Sequence, residues 1–179
     1  MDGTLIFSAL WVMLPAYIPN NAAVVAGGGL PVDGGRTLNG NRLLGDGKTW
    51  RGILLGTLAG VCVAGTLNIS APFVQMIGFN PIRFSLRAAF GLAFGAMCGD
   101  LFASFLKRRM GKQRGAPLPG IDQLDFVCGA LCVTTILAPG WTFQVFNVAL
   151  IGVVIIVTPL LHVMTNIVAF VTSLKDEPY

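Results

Sequence analysis

Residues 85–109 read Ser85-Leu-Arg87-Ala-Ala-Phe-Gly-Leu-Ala-Phe-Gly95-Ala-Met-Cys98-Gly99-Asp100-Leu-Phe-Ala-Ser104-Phe-Leu-Lys107-Arg108-Arg109. Up to Gly99 the run is apolar and rich in small residues, which suits a helix packed against other helices in lipid. About its last three turns then carry a carboxylate, a hydroxyl and three cations. Charge beside a bilayer is costly and is usually there for chemistry. On a continuing helix Asp100, Ser104 and Lys107 or Arg108 fall on one face. The run predicts a membrane-spanning helix that ends in a polar site.

Working outward, the rest of the chain fits the same solvent. Of 179 residues 54% are hydrophobic and 11% are charged. A soluble domain would carry about a quarter charged residues. The composition predicts an all-α, polytopic membrane protein forming a single catalytic domain over residues 1–179. Stretches of about 20 apolar residues predict five transmembrane helices, near residues 5–27, 52–68, 85–106, 121–138 and 143–171. Pro159 predicts a kink or tilt in the fifth. The N-terminal stretch lacks a basic leader region and reads as a retained helix. Cys62, Cys98, Cys128 and Cys132 all lie in apolar runs and read as small buried hydrophobes. The only histidine, His162, lies deep in the fifth span and reads as structural.

Basic residues set the orientation. Arg36, Arg42, Lys48 and Arg51 lie in or beside the loop 28–51. Lys107, Arg108, Arg109, Lys112 and Arg114 lie in the loop 107–120, and Lys175 in the tail. Only Arg83 and Arg87, of 12 Lys and Arg, fall on the other side. This asymmetry places the N-terminus outside and both loops and the C-terminus in the cytoplasm. The expected location is the cell membrane, with the site facing the cytoplasm.

The first loop runs Gly27-Gly-Gly-Leu-Pro31-Val-Asp33-Gly-Gly-Arg36 and continues to Gly45-Asp46-Gly47-Lys48-Thr49-Trp50-Arg51-Gly52. Glycine lets backbone N–H groups approach an anion closely. With Arg42, Lys48 and Arg51 the loop suits a polyphosphate, or equally anionic lipid headgroups. The end of the string imitates a Walker A motif. However, Arg42 stands where its first glycine is required, and no strand precedes it. The Asp-Gly spacing of CDP-alcohol phosphotransferases is also missing.

After the Pro119-Gly120 turn, Asp122 and Asp125 open the fourth helix. A local role suits them: Asp122 as N-cap, and Asp125 through the helix dipole. For Asp100 the local alternative is a salt bridge to Lys107 or Arg108. A shared role is Mg²⁺ binding, since that ion takes one or two carboxylates plus substrate phosphates. Attack at a nucleotide α-phosphate needs charge neutralisation and in-line positioning more than covalent protein chemistry. Asn21, in the first span after Pro15 and Pro19, reads either as an interhelical hydrogen bond or as a residue at the mouth of a substrate pocket. The competing class is a small cation channel or transporter with Asp100, Asp122 and Asp125 as its ion site.

Ser104-x-x-Lys107-Arg108, Pro119-Gly120 and Asp122-x-x-Asp125 resemble the signature of phosphatidate cytidylyltransferases. Gln113-Arg114 stands where that family has Lys-Asp, and Ile121 alone separates Pro119-Gly120 from Asp122. The two full loop strings resemble more closely its archaeal branch, the CDP-archaeol synthases. That resemblance implies transfer of CMP from CTP to 2,3-bis-O-(geranylgeranyl)glycerol 1-phosphate, releasing pyrophosphate, with Mg²⁺ as cofactor. It implies Asp100, Asp122 and Asp125 as metal ligands and catalytic residues, with Lys107 and Arg108. It implies Asn21, Arg42, Lys48, Arg51 and Ser104 as substrate-binding residues. The expected partners are CTP, the prenylated lipid phosphate and the bilayer, with no nucleic acid. Nothing in the sequence fixes an oligomeric state.

Overall fold

A computed structural model describes residues 3–112, 116, 118 and 120–171. Six helices follow in order: α1 (Gly3–Ala26), α2 (Trp50–Met76), α3 (Leu86–Arg109), α4 (Ile121–Leu137), α5 (Pro139–Val145) and α6 (Val148–Val171). Among the described residues α1, α2 and α3 are long and apolar enough to cross a membrane. The pair α5 and α6, bent by 81°, makes a fourth if taken as one broken span. With 17 residues α4 is only about 25 Å long, shorter than a typical hydrocarbon core. Gln113, Arg114, Pro119 and Lys175, used above for the signature and the orientation, lie outside the described residues.

Three sequence expectations need correction. The second span does not stop near residue 68. The Asn68 side chain donates to the Phe84 carbonyl at 2.8 Å and accepts from the Phe84 N–H at 2.9 Å. With its amide satisfied by backbone, Asn68 no longer ends the apolar run, and α2 continues to Met76. The fifth span does not start at residue 143 as one helix. Its sharp bend lies between Val145 and Val148, while α6 runs on through Pro159. Asn147 caps α6 there by accepting from the Leu150 N–H at 2.8 Å. The cysteines are not all buried: Cys62, Cys128 and Cys132 are exposed on the outside of the helices. There a thiol is a small hydrophobe toward lipid rather than toward the core.

The chain is also not purely helical. The first loop carries a short antiparallel hairpin, β1 (Thr37–Leu38) and β2 (Asn41–Arg42). Asn39 and Gly40 turn it with φ of 52° and 77°, the positive pair that an Asn-Gly hairpin requires. A bridge between Pro31 and Thr49 closes the base of the loop. Thr49 then caps α2, accepting from the Gly52 N–H at 3.1 Å.

Small residues set the helix crossings. On α2, a Cβ at Gly60 would lie 2.5 Å from the Pro15 carbonyl oxygen. Pro19 has no N–H to offer that carbonyl, so α2 packs directly against it. On α3, Gly91, Gly95 and Gly99 form a stripe against α4, where they meet Thr134, Gly129 and Asp125. Tyr17 ties α1 to α6 through a 2.8 Å hydrogen bond with Thr158, and its ring meets that of Phe126 edge-on at 5.6 Å. This packing carries the first loop, the end of α3 and the start of α4 to one end of the bundle.

Candidate active site

The first loop is built around Asp33, whose side chain is fully buried. Its carboxylate accepts from the Gly35, Leu44 and Gly45 N–H groups, each at 3.0 Å. Arg42 adds two bonds, from Nη2 to Oδ1 at 2.7 Å and from Nε to Oδ2 at 3.2 Å. The Arg42 guanidinium holds the Asp33 carboxyl well below the usual carboxylate range, with the three backbone donors adding to the effect. Arg42 also pairs with Asp46 at 2.6 Å. It therefore braces the loop from within. Asp33→Ala would leave Arg42 and three N–H groups short of their acceptor, a cost of about 3–5 kcal/mol for a buried pair broken on one side. The expected result is faster tryptic cleavage after Arg36 and Arg42, with the transmembrane fold retained. The lowered pKa means this bracing is complete above the ordinary Asp range. It is lost only as pH falls below that range, so loop protection should not change between pH 5 and 8.

Arg109 fastens the hairpin to α3. Its guanidinium donates to the carbonyls of Leu38, Asn41 and Arg42 at 2.8, 3.2 and 2.9 Å, and stacks over the Phe105 ring. Arg108 donates to the carbonyls of Leu44 and Lys112. With hairpin and loop so fixed, Lys48 reaches α3. Its Nζ lies 2.5 Å from Asp100 Oδ2. Lys107, on the same end of α3, pairs with Asp122 Oδ1 at 2.6 Å. Asp122 Oδ2 also accepts from the Leu118 N–H at 2.8 Å. Both local alternatives from sequence are thereby corrected. Asp100 pairs with Lys48 across the structure, because loop and helix are brought together in space, and not with Lys107 or Arg108 along its own helix. Asp122 is not the N-cap: Gly120 takes that position with φ 85°.

Asp125 lies within electrostatic reach of Asp100, Asp122 and Lys48. The placement is direct, since Gly99 packs on the Asp125 carbonyl. The structure thus brings together Asp100, Asp122, Asp125, Lys48 and Lys107, with Arg108 beside them. Ser104 is half-buried on α3. Arg51 is exposed in the first turn of α2. Asn21 is exposed too, its amide donating to the Tyr17 carbonyl at 3.4 Å. It is the neighbouring Asn20 whose side-chain oxygen is buried without a partner. Among the described residues, no three His, Cys, Asp or Glu side chains already form a metal-holding group.

An apolar groove of about 950 Å³ runs between the first loop and α3, lined by Leu30, Trp50, Leu101, Phe102 and Phe105 among others. Cys98, Leu101, Phe102 and Phe105 share one helical face, and Asp100 lies on another. The groove therefore opens on a different face of α3 from the one that carries Asp100, with Asp33 and Arg36 of the first loop also in its lining.

Asp33 and Arg109 were missed in the sequence, though both left signals. An Asp followed by two glycines favours a side-chain-to-backbone turn. A cation at a helix C-terminus is placed to meet carbonyls.

A scaffold of helices long and apolar enough to cross a membrane thus gathers carboxylates and ammonium groups at one end. Residues 3–179 match the family described as CarS-like, CDP-archaeol synthase. Curated relatives carry the same description. The protein from Halorubrum lacusprofundi is 56% identical over all of both chains. That from Haloarcula marismortui is 58% identical over 96% of this chain and 95% of its own. That from Methanosarcina mazei is 47% identical over 93% of this chain and 100% of its own. A solved structure, described as "Structural insight into an intramembrane enzyme for archaeal membrane lipids biosynthesis", superposes with a TM-score of 0.67. It shares 39% identity and covers 90% of this chain and 94% of its own. The chain belongs to the CDP-archaeol synthase family. Membership in an enzyme family gives no support to the channel alternative.

Proposed function

We propose that this protein transfers CMP from CTP to the phosphate of 2,3-bis-O-(geranylgeranyl)glycerol 1-phosphate, giving unsaturated CDP-archaeol and pyrophosphate. The observation that carries the reading is the meeting of three elements at one charged cluster. Lys48 of the first loop is 2.5 Å from Asp100 of α3, and Lys107 of α3 is 2.6 Å from Asp122 of α4. In the reaction an oxygen of the lipid phosphate attacks the α-phosphorus of CTP. The bond from that phosphorus to the β-phosphate oxygen breaks, and pyrophosphate leaves. The nucleophile is a phosphate monoester, already anionic near neutral pH, so no general base is required. Lys48, Lys107 and Arg108 neutralise the charge that develops on the phosphates and hold them in line. In this reading Arg51 and Ser104 supply further phosphate contacts, Arg42 supports substrate binding through the loop that it braces, and Asn21 serves at the mouth of the substrate pocket.

The residues fit Mg²⁺, through Asp100, Asp122 and Asp125. All three offer hard oxygen atoms, the donor type that Mg²⁺ takes together with phosphate oxygens and water. When bound, the metal would supply positive charge at the reacting phosphates. The membrane arrangement in this reading is five crossings in a single catalytic domain of the cell membrane, with the two basic loops in the cytoplasm. Exposed apolar side chains such as Leu54, Leu58, Ile69 and Phe73 on α2 support immersion in lipid. The test is a transfer assay on the purified protein, offering CTP, ATP and GTP against prenyl-ether and diacyl glycerol phosphates. Pyrophosphate release is expected with CTP and the prenyl-ether acceptor. Release that is independent of any lipid phosphate, or none with CTP, would overturn the reading.

A further inference from the structure

Two ammonium groups sit on two of the carboxylates that a divalent cation would use. Lys48 Nζ lies 2.5 Å from Asp100 Oδ2, and Lys107 Nζ 2.6 Å from Asp122 Oδ1. The four side chains are between 21% and 27% exposed, so neither pair is a loose surface contact. The two lysines come from different elements, the first loop and the end of α3, yet each makes an ion pair in the same cluster; the Lys48 pair is also a hydrogen bond, whereas Asp122 Oδ1 is buried without one. Partial burial strengthens such pairs relative to those in open solvent.

We propose that Lys48 and Lys107 are exchangeable placeholders for the metal. They hold Asp100 and Asp122 in the metal-free enzyme, and they pass to the phosphates of an incoming nucleotide as the cation takes their place. The inference rests on the carboxylates being metal ligands, as in the proposed function. A cation arriving alone must displace an ammonium group from its carboxylate without bringing it a new anion. A cation arriving with a triphosphate brings those anions with it. Metal and nucleotide binding are therefore coupled, and each strengthens the other by the same factor. The same arrangement helps keep the loop docked on α3 between turnovers, since the Lys48 ion pair adds to the bonds that Arg108 and Arg109 make from that helix to the loop.

The test is Mn²⁺ binding to the full-length protein in detergent, followed by electron paramagnetic resonance without nucleotide. Lys48→Met and Lys107→Met are each expected to tighten Mn²⁺ binding by about tenfold, within the usual range for coupled sites. Because the two lysines lie on separate elements, misfolding of one variant leaves the other as a test. Arg36→Met removes an exposed cation of the same loop that makes no bond to these carboxylates, and is expected to leave the affinity unchanged. Unchanged or weaker Mn²⁺ binding in the lysine variants would overturn the inference. So would an equal gain in Arg36→Met, since that would be a general field effect. Asp100→Asn separates this inference from the reading beneath it. If Asp100→Asn leaves Mn²⁺ binding with CTP intact, the ligand assignment itself falls. If it weakens that binding while the lysine variants change nothing, only the placeholder role falls.

Discussion

Asp100→Asn is expected to lower kcat for CMP transfer by about a thousandfold, the scale of losing a preorganised electrostatic contact at a reacting centre. Asn keeps the shape of the side chain but removes the charge. Two consequences follow, and they separate experimentally. The metal and the phosphates lose a ligand charge, which acts on kcat. Lys48, half-buried and 2.5 Å away, loses its partner, which weakens the docking of the first loop on α3. Leaving a partly buried cation unpaired destabilises more than removing both members of the pair. Adding Lys48→Met to Asp100→Asn should therefore recover the melting temperature and not the activity. Turnover near that of the unmodified enzyme in Asp100→Asn would remove Asp100 from the site.

The helices were legible in the sequence because lipid demands long apolar runs, and the starts of α3 and α4 lie within a residue of expectation. The misplaced ends share one cause. Asn68 and the 145–148 bend are settled by polar side chains bonding to backbone atoms, and a hydropathy pattern is blind to such bonds. The hairpin was legible and overlooked. Asn39-Gly40 between Thr37-Leu38 and Asn41-Arg42 is a strong turn signal, hidden because the glycine-rich loop was read for its charge.

The members of the charged cluster could be picked out from sequence, since Asp100, Lys107, Asp122 and Asp125 are costly in lipid. Their partners could not. Helical periodicity pairs Asp100 with Lys107 or Arg108 on its own face, whereas the fold gives it Lys48, 52 positions away in the chain. Likewise Arg42 reads as a free anion-binding cation until the loop folds around Asp33 and supplies it with carboxylate partners. The basic loop thus holds cations of two kinds: Arg42 bonds within the loop, while Lys48 reaches across to α3. Only the tertiary contacts sort them.

The second large effect is expected at a residue with no side chain. Gly99→Ala should lower kcat by about a hundredfold, the usual penalty for a displacement of about 1 Å in a reacting constellation. A Cβ at Gly99 would overlap the Asp125 carbonyl oxygen, with Phe126 Cα only 2.9 Å away. These are backbone atoms, so no rotamer change relieves the clash, and α3 must part from α4. Overpacking of this kind costs about 1–3 kcal/mol in stability. The rate suffers more, because the crossing that opens is the one that sets Asp100 beside Asp125. Gly95→Ala supplies the comparison. Its Cβ would lie 2.5 Å from the Gly129 carbonyl oxygen, also a backbone clash though a milder one, one turn farther from the carboxylates. It should lower the melting temperature to a similar degree and kcat much less. Gly65→Ala, on α2 with nothing within 4 Å, should change neither. If Gly95→Ala and Gly99→Ala lose kcat equally, the rate follows the integrity of the whole α3–α4 crossing, and the local placement of Asp125 by Gly99 is not what the reaction depends on.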